Sequence, residues 1–219
     1  MLISPPVIRA ALFDFGGVIL SSPFEAFARY ERERNLADGF LRRLNSTNPD
    51  GNAWAQLERG EVAFDEFCRL YEGEARGAGG EVDAREVMAL LAGDVRPAMV
   101  EAVRRCHERL KTACLTNNWV AADDRGATPH ERLLTDLFDV VVESSKVGVR
   151  KPDPRFYELA CAQLAIEPHE AVFLDDIGGN LKPARAMGMT TIKVDDPDAA
   201  IAELESVVGF RLRSPDVSR

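Results

Sequence analysis

LFDFGGVIL, residues 12–20, is the stretch on which the reading of the chain turns. Two large apolar residues, Leu12 and Phe13, run into a single acid, Asp14, and glycines follow at 16 and 17. A short apolar run that ends in a tight glycine turn reads as a fully buried strand. Asp14 would then stand at the strand's carboxyl end as a turn cap, a metal ligand or a nucleophile. The other segments that reach the same edge decide among these.

Working outward, ALF (11–13) is followed by four more short apolar runs: TACL (112–115), VVV (140–142), AVFL (171–174) and TTIKV (190–194). Helical patterns occupy 96–110, 154–164, 180–188 and about 198–208. Pro97 and Pro154 suit first helical positions, and Gly188 suits a helix end. Strands alternating with helices predict an α/β fold with a doubly wound, parallel-sheet, Rossmann-like core. Residues 22–95 carry no convincing strand. FEAFARYERER (24–34), NAWAQLERG (52–60) and FDEFCRLYEGEA (64–75) have amphipathic helical spacing, and Asp83 with Glu86 reads as a capping box for one more helix. Two units are expected: a core of 1–20 and 96–219, and a small all-helical cap of 21–95 inserted after the first strand. Such an insertion sits above the sheet's carboxyl edge, where ligands bind in open α/β sheets.

Composition narrows the classes. The 219 residues carry a formal net charge of −9, with 46% hydrophobic and 29% charged residues. Nucleic-acid binding needs a basic stripe, and none is evident. The four cysteines, at 68, 106, 114 and 161, show no CxxC spacing and read as reduced, buried thiols. No apolar stretch is long enough to span a membrane, and the N-terminus lacks signal-peptide features, so a cytoplasmic location is expected.

Polar residues fall at the predicted strand ends. They are Asp14 after the first, Thr116, Asn117 and Asn118 after the second, Lys151 after the third, and Asp175 and Asp176 after the fourth. Each alone has a plainer reading. Asp14 could cap a turn, Asp175–Asp176 could cap the next helix, and Lys151 could be a surface charge. In KPDP, Pro152 holds Lys151 extended, while Asp153 and Pro154 start a helix. Together they converge on one crevice. Three acids there would raise one another's pKa, and Lys151 with a divalent cation would relieve the repulsion. Few hard oxygen ligands beside a phosphate suit Mg²⁺.

The pattern resembles the haloacid dehalogenase superfamily, through LFDFG (12–16), LTN (115–117), RKPDP (150–154) and FLDD (173–176). LTNNWVAADDR, ESSKVGVRKPDPRFY and VFLDDIGGNLKPARAMGMTTIKVDD are similar to the N-terminal phosphatase domain of soluble epoxide hydrolase. They are also similar to the related domain of an acyl-CoA dehydrogenase family protein. The resemblance implies a Mg²⁺-dependent phosphatase acting on a small-molecule phosphate monoester, with lipid phosphates among the candidates. It implies that Asp14 attacks phosphorus to form an aspartyl-phosphate. Thr116 and Asn117 would donate hydrogen bonds to the phosphoryl oxygens, with Asn118 beside them as a substrate-binding residue, and Lys151 would neutralise charge there. Asp14, Asp176 and the backbone carbonyl of Gly16 would hold Mg²⁺, with Asp175 supporting them.

One position departs from the pattern. Most phosphatases of the superfamily carry an Asp two residues after the nucleophile as general acid and base, and here that residue is Gly16. The enzyme would then favour acidic leaving groups, borrow a proton from water or substrate, or use a side chain of the cap. A binding or regulatory module without useful turnover is the alternative, and a 2-haloacid dehalogenase is a further one. That branch usually has Tyr at position 16 and lacks the paired acids. His107, His130 and His169 show no metal-ligand spacing. Trp119 could line the pocket. Trp54 reads as cap core, and ERER (31–34) as a solvated face.

Overall fold

A parallel sheet covered on both faces needs apolar side chains at nearly every strand position. The apolar runs of this chain form such a sheet. In a computed structural model, residues 7–118 and 136–213 are described. The strands are β1 (Ala10–Phe13), β2 (Lys111–Thr116), β3 (Val140–Glu143), β4 (Ala171–Asp175) and β5 (Thr190–Lys193). All neighbours pair in parallel, in the order β3-β2-β1-β4-β5. Between β1 and β2 lie α1 (Phe24–Glu33), α2 (Phe40–Ser46), α3 (Ala53–Glu58), α4 (Phe64–Gly77), α5 (Ala84–Ala89) and α6 (Pro97–His107). A short α7 (Ser144–Val147) follows β3 directly; α8 (Pro154–Leu164), α9 (Gly178–Ala186) and α10 (Pro197–Val208) complete the chain.

Alternation of strand side chains divides the core in two. Ala11, Phe13, Cys114, Val172 and Leu174 pack with Met99 and Val103 of α6 and Ile201 and Leu204 of α10. Ala10, Leu12, Ala113, Leu115 and Phe173 pack with Phe156 and Tyr157 of α8 and Leu181 of α9. The chain winds outward from β1 to β3, then crosses to β4 on the other side of β1. The winding reverses between β1 and β4, so a crevice opens outside their carboxyl ends.

The insertion builds its own apolar cluster, with Phe67, Tyr71, Leu41 and Val87 among its buried residues. Chain exit and return are stapled together. Leu20 bridges Val95 in antiparallel sense, Ser21 N–H donates to Asp94 O at 2.8 Å, and Arg96 N–H donates to Ile19 O at 2.8 Å. No helix among the described residues is long and apolar enough to cross a membrane. All four cysteines are buried and free.

Three details differ from the sequence reading. Helix α2 was not anticipated, and Glu31 is 2% exposed rather than part of a solvated face. The two are one fact. The Glu31 carboxylate accepts the N–H groups of Gly39 and Leu41, both at 2.8 Å, and so caps α2 from α1. At α5, Asp83 caps as expected, accepting from Arg85 N and Glu86 N. The reciprocal half of the capping box is missing, because the Asp83 N–H donates to Tyr30 Oη at 2.9 Å and Glu86 turns to Arg34.

Candidate active site

Asp14 extends the β1–β4 ladder by one residue, its N–H donating to Leu174 O at 2.9 Å. Its Oδ1 accepts the Phe15 N–H at 2.6 Å, so the turn-cap reading holds locally. Phe15–Ile19 then forms a wide turn closed by Leu20 N–H to Phe15 O. The two glycines of this turn differ. Gly17 has φ +78°, and a Cβ there would lie 2.1 Å from Asp176 Oδ2. Gly16 has φ −69° and ψ 131°, and a Cβ there would meet nothing within 4 Å. The fold requires glycine at 17 and does not require it at 16.

A test follows from that contrast. Gly17→Ala is expected to push the Asp176 carboxylate aside, so that any Mg²⁺ held by the three acids is bound at least about tenfold more weakly, whereas Gly16→Ala leaves such binding within about twofold. Thermal stabilisation by Mg²⁺, titrated in both variants, checks this.

Lys151 joins the acids. Its Nζ lies 2.9 Å from Asp14 Oδ1 and 2.8 Å from Asp175 Oδ2, and 5.6 Å from the centroid of the Phe173 ring. Only 1% of Lys151 is exposed, so its charge depends on these partners. Burial alone would lower its pKa; the Asp14 and Asp175 carboxylates more than offset that and raise it. Carboxylate oxygens of Asp14, Asp175 and Asp176 lie within 4.8 Å of one another. Burial holds the Asp14 carboxyl well above its usual range despite Lys151, and Asp175 and Asp176 add to the rise. Burial and the Asp175 charge push Asp176 up to about 6. Three carboxylates against one ammonium leave a negative excess, and a divalent cation on the acid oxygens fits that donor set.

The paired acids divide their work. Asp175 is fully engaged: Oδ1 accepts Ile177 N–H at 2.7 Å, Oδ2 accepts Lys151, and Asn180 Nδ2 reaches both oxygens at 3.1 Å. Asp176 accepts from a single side-chain donor among the described residues, the weakly placed Ser22 Oγ at 3.3 Å. Asp175 therefore anchors Lys151, and Asp176 keeps oxygen lone pairs for a ligand.

Thr116 ends β2 and is buried at the same edge. Asn117 brackets the lysine: its Oδ1 accepts Lys151 N–H at 2.9 Å and its Nδ2 donates to Lys151 O at 3.1 Å. Asn118 is built into the neighbouring strand end, donating to Glu143 Oε1 at 2.7 Å and accepting from Ser145 Oγ at 2.9 Å. Asn180, Ser22 and Arg96 were not anticipated. Arg96 donates to Gly17 O at 2.6 Å and fixes the turn from the N-terminal cap position of α6. Asn180, in the first turn of α9 after the Asp–Asp pair, was the most findable of the three; Ser22 and Arg96 act across the fold with no local signal. His107 bonds Thr112 Oγ1 at 2.9 Å and Trp54 packs on Phe67 and Tyr71. Trp119 and His130 lie outside the described residues.

A family model described as a haloacid dehalogenase-like hydrolase matches residues 8–188. The chain belongs to this hydrolase family. Curated relatives agree. The mouse protein named acyl-CoA dehydrogenase family member 10 is 36% identical over 93% of this hydrolase and 19% of its own length. Pig bifunctional epoxide hydrolase 2 is 34% identical over 94% and 40% of the two chains. The hydrolase thus spans less than half the length of either. A shorter relative, the sesquiterpene phosphatase astK of Aspergillus oryzae, is 28% identical over 92% of this chain and 97% of its own.

Proposed function

We propose that this hydrolase is a Mg²⁺-dependent phosphatase that cleaves a small-molecule phosphate monoester through phospho-Asp14. The observation that carries the reading is the buried Lys151 ammonium, held at 2.9 Å from Asp14 and 2.8 Å from Asp175 beside the freer Asp176. An Asp14 carboxylate oxygen forms the new bond to phosphorus as the bond to the ester oxygen breaks, and the electron pair leaves with that oxygen. Water then cleaves the aspartyl-phosphate, returning the Asp14 carboxylate and inorganic phosphate. Lys151 balances the negative charge gathering on the phosphoryl oxygens, and Thr116 would donate a hydrogen bond to them; the Asn117 Nδ2 is already given to Lys151 O and Glu58 Oε2, so Asn117 would contribute through its backbone N–H. Asp14, Asp176 and the Gly16 carbonyl would hold Mg²⁺, with Asp175 positioning Lys151 beside them; when bound, the ion supplies positive charge to the same oxygens.

Gly16 supports a second reading, a phosphate-binding module that does not turn over. A panel of aryl, alkyl and prenyl phosphates assayed with Mg²⁺ and with EDTA separates the two. Prenyl esters enter the panel because one relative is named a sesquiterpene phosphatase. The expected result is aryl phosphate hydrolysis that EDTA reduces to background and excess Mg²⁺ restores. A binding module would gain thermal stability from Mg²⁺ plus phosphate without releasing phosphate. Halide release from a 2-haloacid, indifferent to EDTA, would redirect the assignment to a dehalogenase.

A further inference from the structure

Glu58 is the last residue of α3, in the helical insertion, and is 8% exposed. Its Oε1 accepts the Trp54 Nε1–H at 2.8 Å. Its Oε2 looks out of the insertion. It accepts from Asn117 Nδ2 at 3.3 Å and lies 2.7 Å from Arg150 Nε, an ion-pair contact along which the N–H does not point. Asn117 and Arg150 flank Lys151 from two sides: Arg150 precedes it in the chain, and Asn117 grips both its backbone N–H and C=O. Arg150 also holds the insertion a second time, Nη1 donating to Pro49 O at 3.1 Å. Just beyond α3, Gly60 (φ +69°) sits so close to α7 that a Cβ would come 2.8 Å from Ser145 O.

A buried carboxylate is stable only where charged or polar groups compensate it. Here, apart from Trp54, those groups belong to the core: Arg150 on the lysine segment itself, and Asn117, which follows β2 and holds that segment's backbone. We propose that Glu58 is a positioning residue that couples the seating of the insertion to the placement of Lys151 between Asp14 and Asp175. Its effect on turnover rests on the phosphatase reading; its effect on the Lys151 segment does not.

Hydrogen exchange and kinetics on the whole chain test this together. Glu58→Gln keeps the oxygen acceptor for Trp54, removes the charge facing Arg150, and sets an amide NH2 against the Asn117 Nδ2 donor. Exchange of the Lys151 amide is expected to quicken about tenfold or more, with the β4 amides unchanged. With an aryl phosphate, kcat is expected to fall about tenfold while KM moves less than about threefold. Adding Glu58→Gln to Asn117→Ala should lower kcat by no more than about a further twofold, because both act on one segment. If Glu58→Gln fails to fold, Gly60→Ala, which lifts the insertion off Ser145, is expected to give the same exchange and kinetic changes. Unchanged Lys151 exchange in a folded variant, a loss confined to KM, or losses that multiply in the double variant would overturn the proposal. A wild-type chain that hydrolyses no ester would sink the phosphatase reading, while the exchange result still decides the coupling.

Discussion

Asp14→Asn is expected to lower turnover by about 10⁴-fold or more, since removing a covalent nucleophile leaves only binding and electrostatic assistance. The fold should survive. Asparagine keeps the shape and an oxygen that can accept the Phe15 N–H, held at 2.6 Å in the native turn. Lys151 keeps its contact with Asp175 at 2.8 Å, so the buried ammonium is not left without a counter-charge. The substitution also removes one of three clustered acids, and one whose pKa burial raises. Its sign on stability is therefore mixed. The Asp14 carboxyl is raised in the folded state, so its ionisation disfavours folding as pH rises through the carboxylate range; losing it relieves that term while losing one partner of Lys151. The melting temperature should move by only a few degrees, on the order expected for about 1 kcal/mol. Steady-state rates on an aryl phosphate and a thermal melt measure both halves. A folded variant retaining more than about 1% of wild-type turnover would exclude Asp14 as nucleophile.

The five strands were legible because both faces of the sheet are covered, so β1, β3 and β4 are unbroken apolar runs with a polar residue at or just past the end, while β2 and β5 mix theirs with threonine and lysine. Asp14, Thr116, Asn117 and the Asp175–Asp176 pair were legible for the same reason: each is at or beside a strand's carboxyl end, whereas Lys151 follows β3 only after α7. The division of labour between the paired acids was implied by the family resemblance and not by the residues themselves. Nothing local separates Asp175 from Asp176; the difference appears when Lys151 and Asn180 close on one of them. Asn117 reads as a phosphate contact in the family pattern, and the structure adds its grip on the Lys151 backbone. Glu31 and Glu58 sit among charges on helices whose spacing says only amphipathic. Their burial comes from partners elsewhere in the chain: the N–H groups of Gly39 and Leu41 for one, Asn117 and Arg150 for the other.

Gly16→Asp is expected to accelerate hydrolysis of alkyl phosphates by about 10²-fold or more, within the range that a positioned general acid supplies, and of aryl phosphates by less than about tenfold. The backbone permits the change. Gly16 is exposed, its φ of −69° suits any residue, and no atom lies within 4 Å of a Cβ placed there. The new carboxyl would stand two residues from Asp14, on the same turn. An aryl oxide leaves as a stable anion and gains little from a proton; an alkyl oxide is a poor leaving group unless protonated as the P–O bond breaks. The dependence of kcat/KM on leaving-group pKa should therefore be steep in the native chain and shallow in the variant. A fourth acid also adds repulsion to the three already clustered, so the variant should melt lower without Mg²⁺ and recover with it. Equal acceleration of both ester classes would refute the proton-donor argument, whereas turnover that appears only in the variant would show the native chain to be a phosphate-binding module lacking one carboxyl group.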